Sequence, residues 1–245
     1  LLGQYEENPA KFEKRELSTR VESVINAYKA FNNDNPDDVF GYVLHGKFLR
    51  EIGRYEEAYK LFLKANKLDP NIAIVKQQIG NYLAEDARYK EAYPYFVTAV
   101  KLDPQKAVYQ WQLGRFLIYY GKQLVAEKVI NAQEYDQHLG TSLAEAVRLA
   151  PENRTYKNLY AESFYDLHKP NWSKALQVWT SLLGPEVSDT QTQAIQLHRA
   201  RVLAKLNRKD ESRKVIETVK HPALAVTKRK VLAQLDAREE VKDPD

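Results

Sequence analysis

One phrase of 34 residues is written twice between positions 36 and 104, and no other feature of the chain restricts its fold as much. Pro36, Pro70 and Pro104 stand 34 residues apart. Ahead of Pro70 come Gly46, Ala58, Phe62 and Ala65; at the same distances ahead of Pro104 come Gly80, Ala92, Phe96 and Ala99. A fixed period of this length with small residues at set points belongs to a helix–turn–helix unit stacked on copies of itself, because one unit alone cannot bury its apolar face. Gly46 and Ala58 leave room for the two helices of a unit to approach. Phe62 and Ala65, three apart, put a large side chain beside a gap on one helical face. Asp69-Pro70-Asn71 and Asp103-Pro104-Gln105 end one helix and begin the next.

The stretches Gly46-Lys47-Phe48-Leu49, Gly53-Arg54-Tyr55-Glu56-Glu57-Ala58 and Leu68-Asp69-Pro70 have counterparts in Gly80-Asn81-Tyr82-Leu83, Tyr89-Lys90-Glu91-Ala92 and Leu102-Asp103-Pro104. With Phe62, Ala65, Phe96 and Ala99 between them, these two units resemble tetratricopeptide repeats. His45 and Lys76 depart from that pattern, standing where an apolar residue and an aromatic are usual. The resemblance implies an all-α fold: a right-handed superhelical solenoid of antiparallel helix pairs, with an N-terminal helix and a C-terminal capping helix.

Taken in order, residues 1–35 form an arm and one long amphipathic helix, its apolar residues Phe12, Leu17, Val21, Val24, Ile25, Tyr28 and Phe31 in helical spacing from about Lys11. The solenoid spans 36–222, in units of about 36–70, 71–104, 105–151, 152–185 and 186–222. Pro94 falls near the start of a second helix, where a missing N–H costs little. The third unit opens with Trp111, Leu113, Gly114, Leu117 and Gly121, but its closing phrase, Ala146 to Pro151, ends 47 residues after Pro104. The excess of 13 residues over the 34-residue period falls within about 122–138, as an additional helix or a lengthened one. The period then returns at Pro185, with Tyr156 to Leu167 as the next first helix and two residues added around Lys169-Pro170-Asn171. Residues 223–245 form the capping helix, about Ala223 to Arg238, and a charged tail from Glu239 that frays.

Composition narrows the function classes. A mean hydropathy of −0.59 with no long apolar run leaves no helical membrane span. With no cysteine there is no disulfide, thiol nucleophile or thiolate metal site. Together with Leu1 in first place, this leans towards an exported, periplasmic bacterial protein, with the cytoplasm as the alternative. The histidines, His45, His138, His168, His198 and His221, fall in different stretches without a second histidine or paired carboxylate at ligand spacing. His45 is expected to be buried and hydrogen-bonded. No Gly-rich phosphate loop occurs, so no catalytic residue, metal or cofactor is assigned and the chain reads as non-enzymatic. Most aromatics read as packing residues, among them Tyr55, Tyr89, Phe62, Phe96 and Trp179.

In the family that the chain resembles, the first helix of each unit lines the concave face, and ligand-facing positions lie beside the small contact residue. Carried onto this sequence, that implies Lys47, Arg50, Gln77, Asn81, Trp111 and Arg115, continued by Asn158 and Tyr165. Such a cationic, amide-rich trough with one indole suits an extended partner peptide bearing carboxylates. The expected function is therefore a protein-interaction scaffold or adaptor with a protein or peptide partner, acidic in character. One alternative is a structural or self-assembling module of a larger machine, or the non-catalytic arm of a longer enzyme. Another is nucleic-acid binding through the C-terminal region, where 11 Lys or Arg stand against 3 Asp or Glu between Ile195 and Leu235. That region carries no nucleic-acid motif, and apolar residues separate its cations, so a nucleic-acid partner is disfavoured.

Overall fold

The computed structural model describes residues 14–240. The expected N-terminal arm and the last five residues of the charged tail lie outside them. The described residues form twelve α-helices and one short 3-10 turn, divided into two compact units that meet in sequence at Pro104 and Gln105.

The first unit holds α1 (Lys14–Asp34), α2 (Val39–Glu51), α3 (Tyr55–Leu68), α4 (Ala73–Glu85) and α5 (Tyr89–Leu102). Helices α2 and α3 pair, as do α4 and α5; α1 packs on α2, and α3 on α4. The small residues do the work expected of them. A Cβ on Gly46 would lie 2.7 Å from the Phe62 ring, so the close approach there calls for glycine; one on Gly80 would lie 3.3 Å from Phe96, a tight contact that the ring meets only by yielding a few tenths of an ångström. Ala58, Phe62, Ala65, Ala92, Phe96 and Ala99 are all buried.

Each first helix of this unit ends in the same lock. Gly53 and Ala87 take the left-handed conformation at φ 81° and 57°, and the next amide reaches back to Leu49 O and Leu83 O at 2.8 Å, which satisfies carbonyls the helix end leaves open. Arg54 and Arg88 then close bidentate pairs on Glu57 and Glu91. Two expectations need correction. Tyr55 is 51% exposed, lying under the Arg50 guanidinium rather than in the core. Pro94 is the sixth residue of α5, past the four free N–H groups of the first turn, so it removes a bond from the helix ladder.

The second unit holds α6 (Ala107–Ala126), α7 (Ala132–Leu149), α8 (Arg154–Ser163), α9 (Trp172–Ser181), α10 (Asp189–Lys205), α11 (Lys209–Glu217), a 3-10 turn (Pro222–Leu224) and α12 (Ala225–Glu240). The extra residues of the third repeat are spread over both helices: α6 has 20 residues and α7 has 18, against 13 and 14 in α2 and α3. Gly114 meets Leu143 as Gly46 meets Phe62. One further contact, Gly121 on Tyr135, joins the added length. Helix α8 stops at Ser163, short of the expected Leu167, and Phe164 to Asp166 form a turn. At the far end, Val231 and Leu235 of α12 close over Leu197, Ala200, Ile216 and Val219.

Candidate partner-binding surfaces

Helix α2 presents one row to solvent: Phe40, Leu44, Lys47 and Glu51, at steps of four, three and four residues. Phe40 is 68% exposed and Leu44 52% exposed, a large apolar display for adjacent turns of one helix. With Val24, Ala27, Tyr28 and Phe31 of α1 they border a groove of about 480 Å³. Beneath it, His45 is 3% exposed. Its ring stacks on Tyr28 at 5.1 Å, and its Nδ1 lies 3.2 Å from Asn32 Nδ2. Burial and the nearby Lys29 hold its pKa below the ordinary histidine value, so the ring stays neutral.

The residues assigned from sequence are placed unevenly. In the first unit, Lys47 is exposed, with no ion pair among the described residues. Arg50 is already matched: its guanidinium grips Glu85 at 2.6 and 3.4 Å. Gln77 and Asn81 are buried, Asn81 to 9% exposure, because α4 packs against both α3 and α5. In the second unit Trp111 is half-buried, with Tyr156 stacked on it at 5.4 Å and the Arg115 guanidinium 4.8 Å from its ring centre. Asn158 is exposed on α8. Tyr165 sits in the turn after α8, among Trp172, Trp179 and His198. Sequence reasoning passed over Phe40 and Leu44, although their spacing to Lys47 puts all three on one helical face.

Among the described residues no group of three or more His, Asp or Glu side chains is arranged to hold a metal ion. No described helix is long and apolar enough to cross a membrane. Several of the C-terminal cations are engaged within the chain. Arg208 pairs with Glu211, Lys228 donates to Val219 O, Arg199 donates to Thr180 and Gln196, and Lys205 lies over Trp172.

Residues 41–72 match the sequence profile of the tetratricopeptide repeat. No curated protein sequence matches the chain. Among solved structures, YrrB, described as a TPR protein with an unusual peptide-binding site, is 15% identical at a TM-score of 0.64, over 87% of this chain and 98% of its own. The structure of Naa15/Naa10 bound to HypK-THB is 17% identical at a TM-score of 0.60, over 91% of this chain and 33% of that one. MamA is 17% identical at a TM-score of 0.54, over 69% of this chain and 90% of its own. At these identities the likeness is one of fold. The profile match inside the doubled phrase places a tetratricopeptide repeat at residues 41–72, and the paired helices on both sides of it share the fold of the similar structures.

Proposed function

We propose that the chain is a non-enzymatic protein-interaction scaffold and that the α2 face takes a partner segment carrying apolar side chains followed by a carboxylate. Tetratricopeptide folds are typical of protein-binding scaffolds; of the similar structures, YrrB is described with a peptide-binding site and Naa15/Naa10 is bound to HypK-THB. The observation that carries the reading is the row Phe40, Leu44, Lys47. Two large apolar side chains stay in water at a cost of about 25 cal/mol per Å² of apolar surface that a partner would relieve. Lys47, a further turn along, supplies the unmatched positive charge, which selects an acidic residue beyond the apolar ones. Arg50 adds little to that charge, since Glu85 already neutralises it.

Affinity capture from the native organism tests this with three baits: the parent chain, Phe40→Ala/Leu44→Ala and Lys47→Glu. A partner retained by the parent and lost from both variants is expected. Identical recovery on all three baits rejects the α2 surface. Light scattering over a wide concentration range separates the competing occupant, a second copy of this chain: self-association abolished by Phe40→Ala/Leu44→Ala would assign the row to assembly instead.

A further inference from the structure

Four of the five helix–turn–helix units finish their inner turn with their own residues. Arg54, Arg88 and Arg208 each close on the glutamate three positions on, and Asn131 and Glu134 form a reciprocal capping box. Gly53, Ala87, Lys128 and Asn207 supply the left-handed residue at the end of the first helix. The turn between α8 and α9 has no left-handed residue, no such ion pair and no reciprocal box, only the cap of Asn171 on Lys174 N at 2.9 Å. Its main chain is held from outside: Asp136, on the lengthened α7, accepts from His168 N at 2.9 Å and Lys169 N at 2.8 Å.

Asp136 also takes His168 Nδ1 at 3.0 Å, and Tyr135 meets the edge of the same imidazole at 5.5 Å. Burial would raise the Asp136 pKa, but these three donors bring it below the usual carboxylate value. An ionised Asp136 can only accept, so the His168 Nδ1 proton points at it, which in the neutral tautomer leaves Nε2 as the acceptor nitrogen.

His168 borders a cavity of about 770 Å³, lined also by Ala132, Gln133, Asp136, Gln137 and Lys169. Gln133 and Gln137 are exposed on successive turns of α7, and Lys169 is exposed beside them. Among the described residues none of these three side chains, nor His168 Nε2, makes a hydrogen bond or ion pair, whereas Arg54, Arg88 and Arg208 at three other turns are matched. Beside the Asp136 carboxylate, which already accepts from His168 N, His168 Nδ1 and Lys169 N, the group offers one positive charge without an ion pair, one acceptor nitrogen in the neutral imidazole and two side-chain amides. Its single charge suits a carboxylate better than a doubly charged phosphoryl group. The amide pair can meet both the C=O and the N–H of a main chain, and Nε2 can accept a further N–H.

We propose that the cavity between α7 and the α8–α9 turn is a second docking site, which takes an extended acidic peptide: its carboxylate on Lys169, its main chain on Gln133, Gln137 and His168 Nε2. The proposal rests on the scaffold reading but shares no residue with the α2 surface.

The probe is a fluorescein-labelled octapeptide of alternating glutamate and alanine, amidated so that only side-chain carboxylates are offered, with glutamine in place of glutamate as its neutral counterpart. Fluorescence anisotropy with the whole chain should give saturable binding of the acidic peptide. Binding should be at least tenfold weaker for the neutral peptide, for Lys169→Glu and for Gln133→Ala/Gln137→Ala. Lys174→Glu, the same charge change at an exposed site on α9, and Phe40→Ala/Leu44→Ala should leave it unchanged. Absence of saturable binding overturns the proposal, as does an equal loss with Lys174→Glu, which would show a diffuse charge effect. If binding follows the α2 variant alone, this site fails while the scaffold reading survives. If the acidic peptide binds here but the α2 variants recover every partner, only the α2 reading falls.

Discussion

Gly121 lies against the ring of Tyr135 so closely that a Cβ on the glycine would stand 2.0 Å from Cε2. Tyr135 is fully buried and cannot swing out. Gly121→Ala should therefore destabilise the fold by about 1–3 kcal/mol through overpacking. Gly140, within α7, has no atom within 4 Å of an added Cβ. There alanine should be neutral or add up to about 1 kcal/mol from helix propensity. Urea denaturation of the two variants beside the parent measures both; equal stabilities would mean that α6 and α7 do not meet at Gly121.

His198 stacks on Trp179 at 4.0 Å, and its pKa is pushed down to about 4 by burial and by Arg201. In the unfolded chain the imidazole titrates near 6.5. The folded-state value is the lower one, so the neutral ring contributes fully above about pH 6.5 and that contribution is lost as pH falls towards 4. His198→Phe keeps an aromatic ring on Trp179 and removes the titration. Thermal melts between pH 7.5 and 4.5 should show the variant losing less Tm on acidification than the parent; parallel profiles would contradict the burial of His198.

Ala87 and Lys128 hold positive φ values of 57° and 59°, where an L side chain costs about 1–2 kcal/mol. Glycine relieves that strain and returns about 0.5–1 kcal/mol through the freer unfolded chain. Ala87→Gly and Lys128→Gly should each raise stability by a few tenths to about 1 kcal/mol. A fall in the urea midpoint for both would argue against the shared helix-end lock.

Phe40 contributes exposed surface rather than core. Phe40→Ala and Leu44→Ala should each change stability by no more than about 0.5 kcal/mol, so lost partner recovery could be credited to the surface itself. Breaking the exposed Arg50–Glu85 pair with Arg50→Ala should cost no more than about 1 kcal/mol. It should also leave recovery near the parent level, unlike Lys47→Glu. Chemical denaturation run beside the capture experiment reads both quantities.

The packing of Gly46 on Phe62 and Gly80 on Phe96 was legible because the period sets a small residue at a fixed distance from a large one. The third repeat hid its own version. Seven residues added to a helix make nearly two full turns, so Gly121 falls on the same face as Gly114 and the lengthened helix still reads as regular. Tyr135 then had no counterpart elsewhere in the chain to announce it.

The surface was harder to read for a related reason. An apolar residue on an amphipathic helix is assigned to the core by default, which concealed Phe40 and Leu44. Position beside a contact glycine implies access to solvent, yet Asn81 is buried on a helix packed from two sides. Nothing in spacing indicated that Asp136 would reach across 32 residues to the His168 amide.

The lengthened α6–α7 hairpin also bears on how such a stack comes apart. Where each element leans only on its neighbours, opening spreads from the ends inward and its advance depends on the strength of each successive junction. A hairpin fastened at Gly114 and again at Gly121 is a firebreak in that progression. Loosening that begins at α12 would run through the shorter helices α11 to α8 and halt there, so α6 and α7 would keep their amide protons longest in that unit.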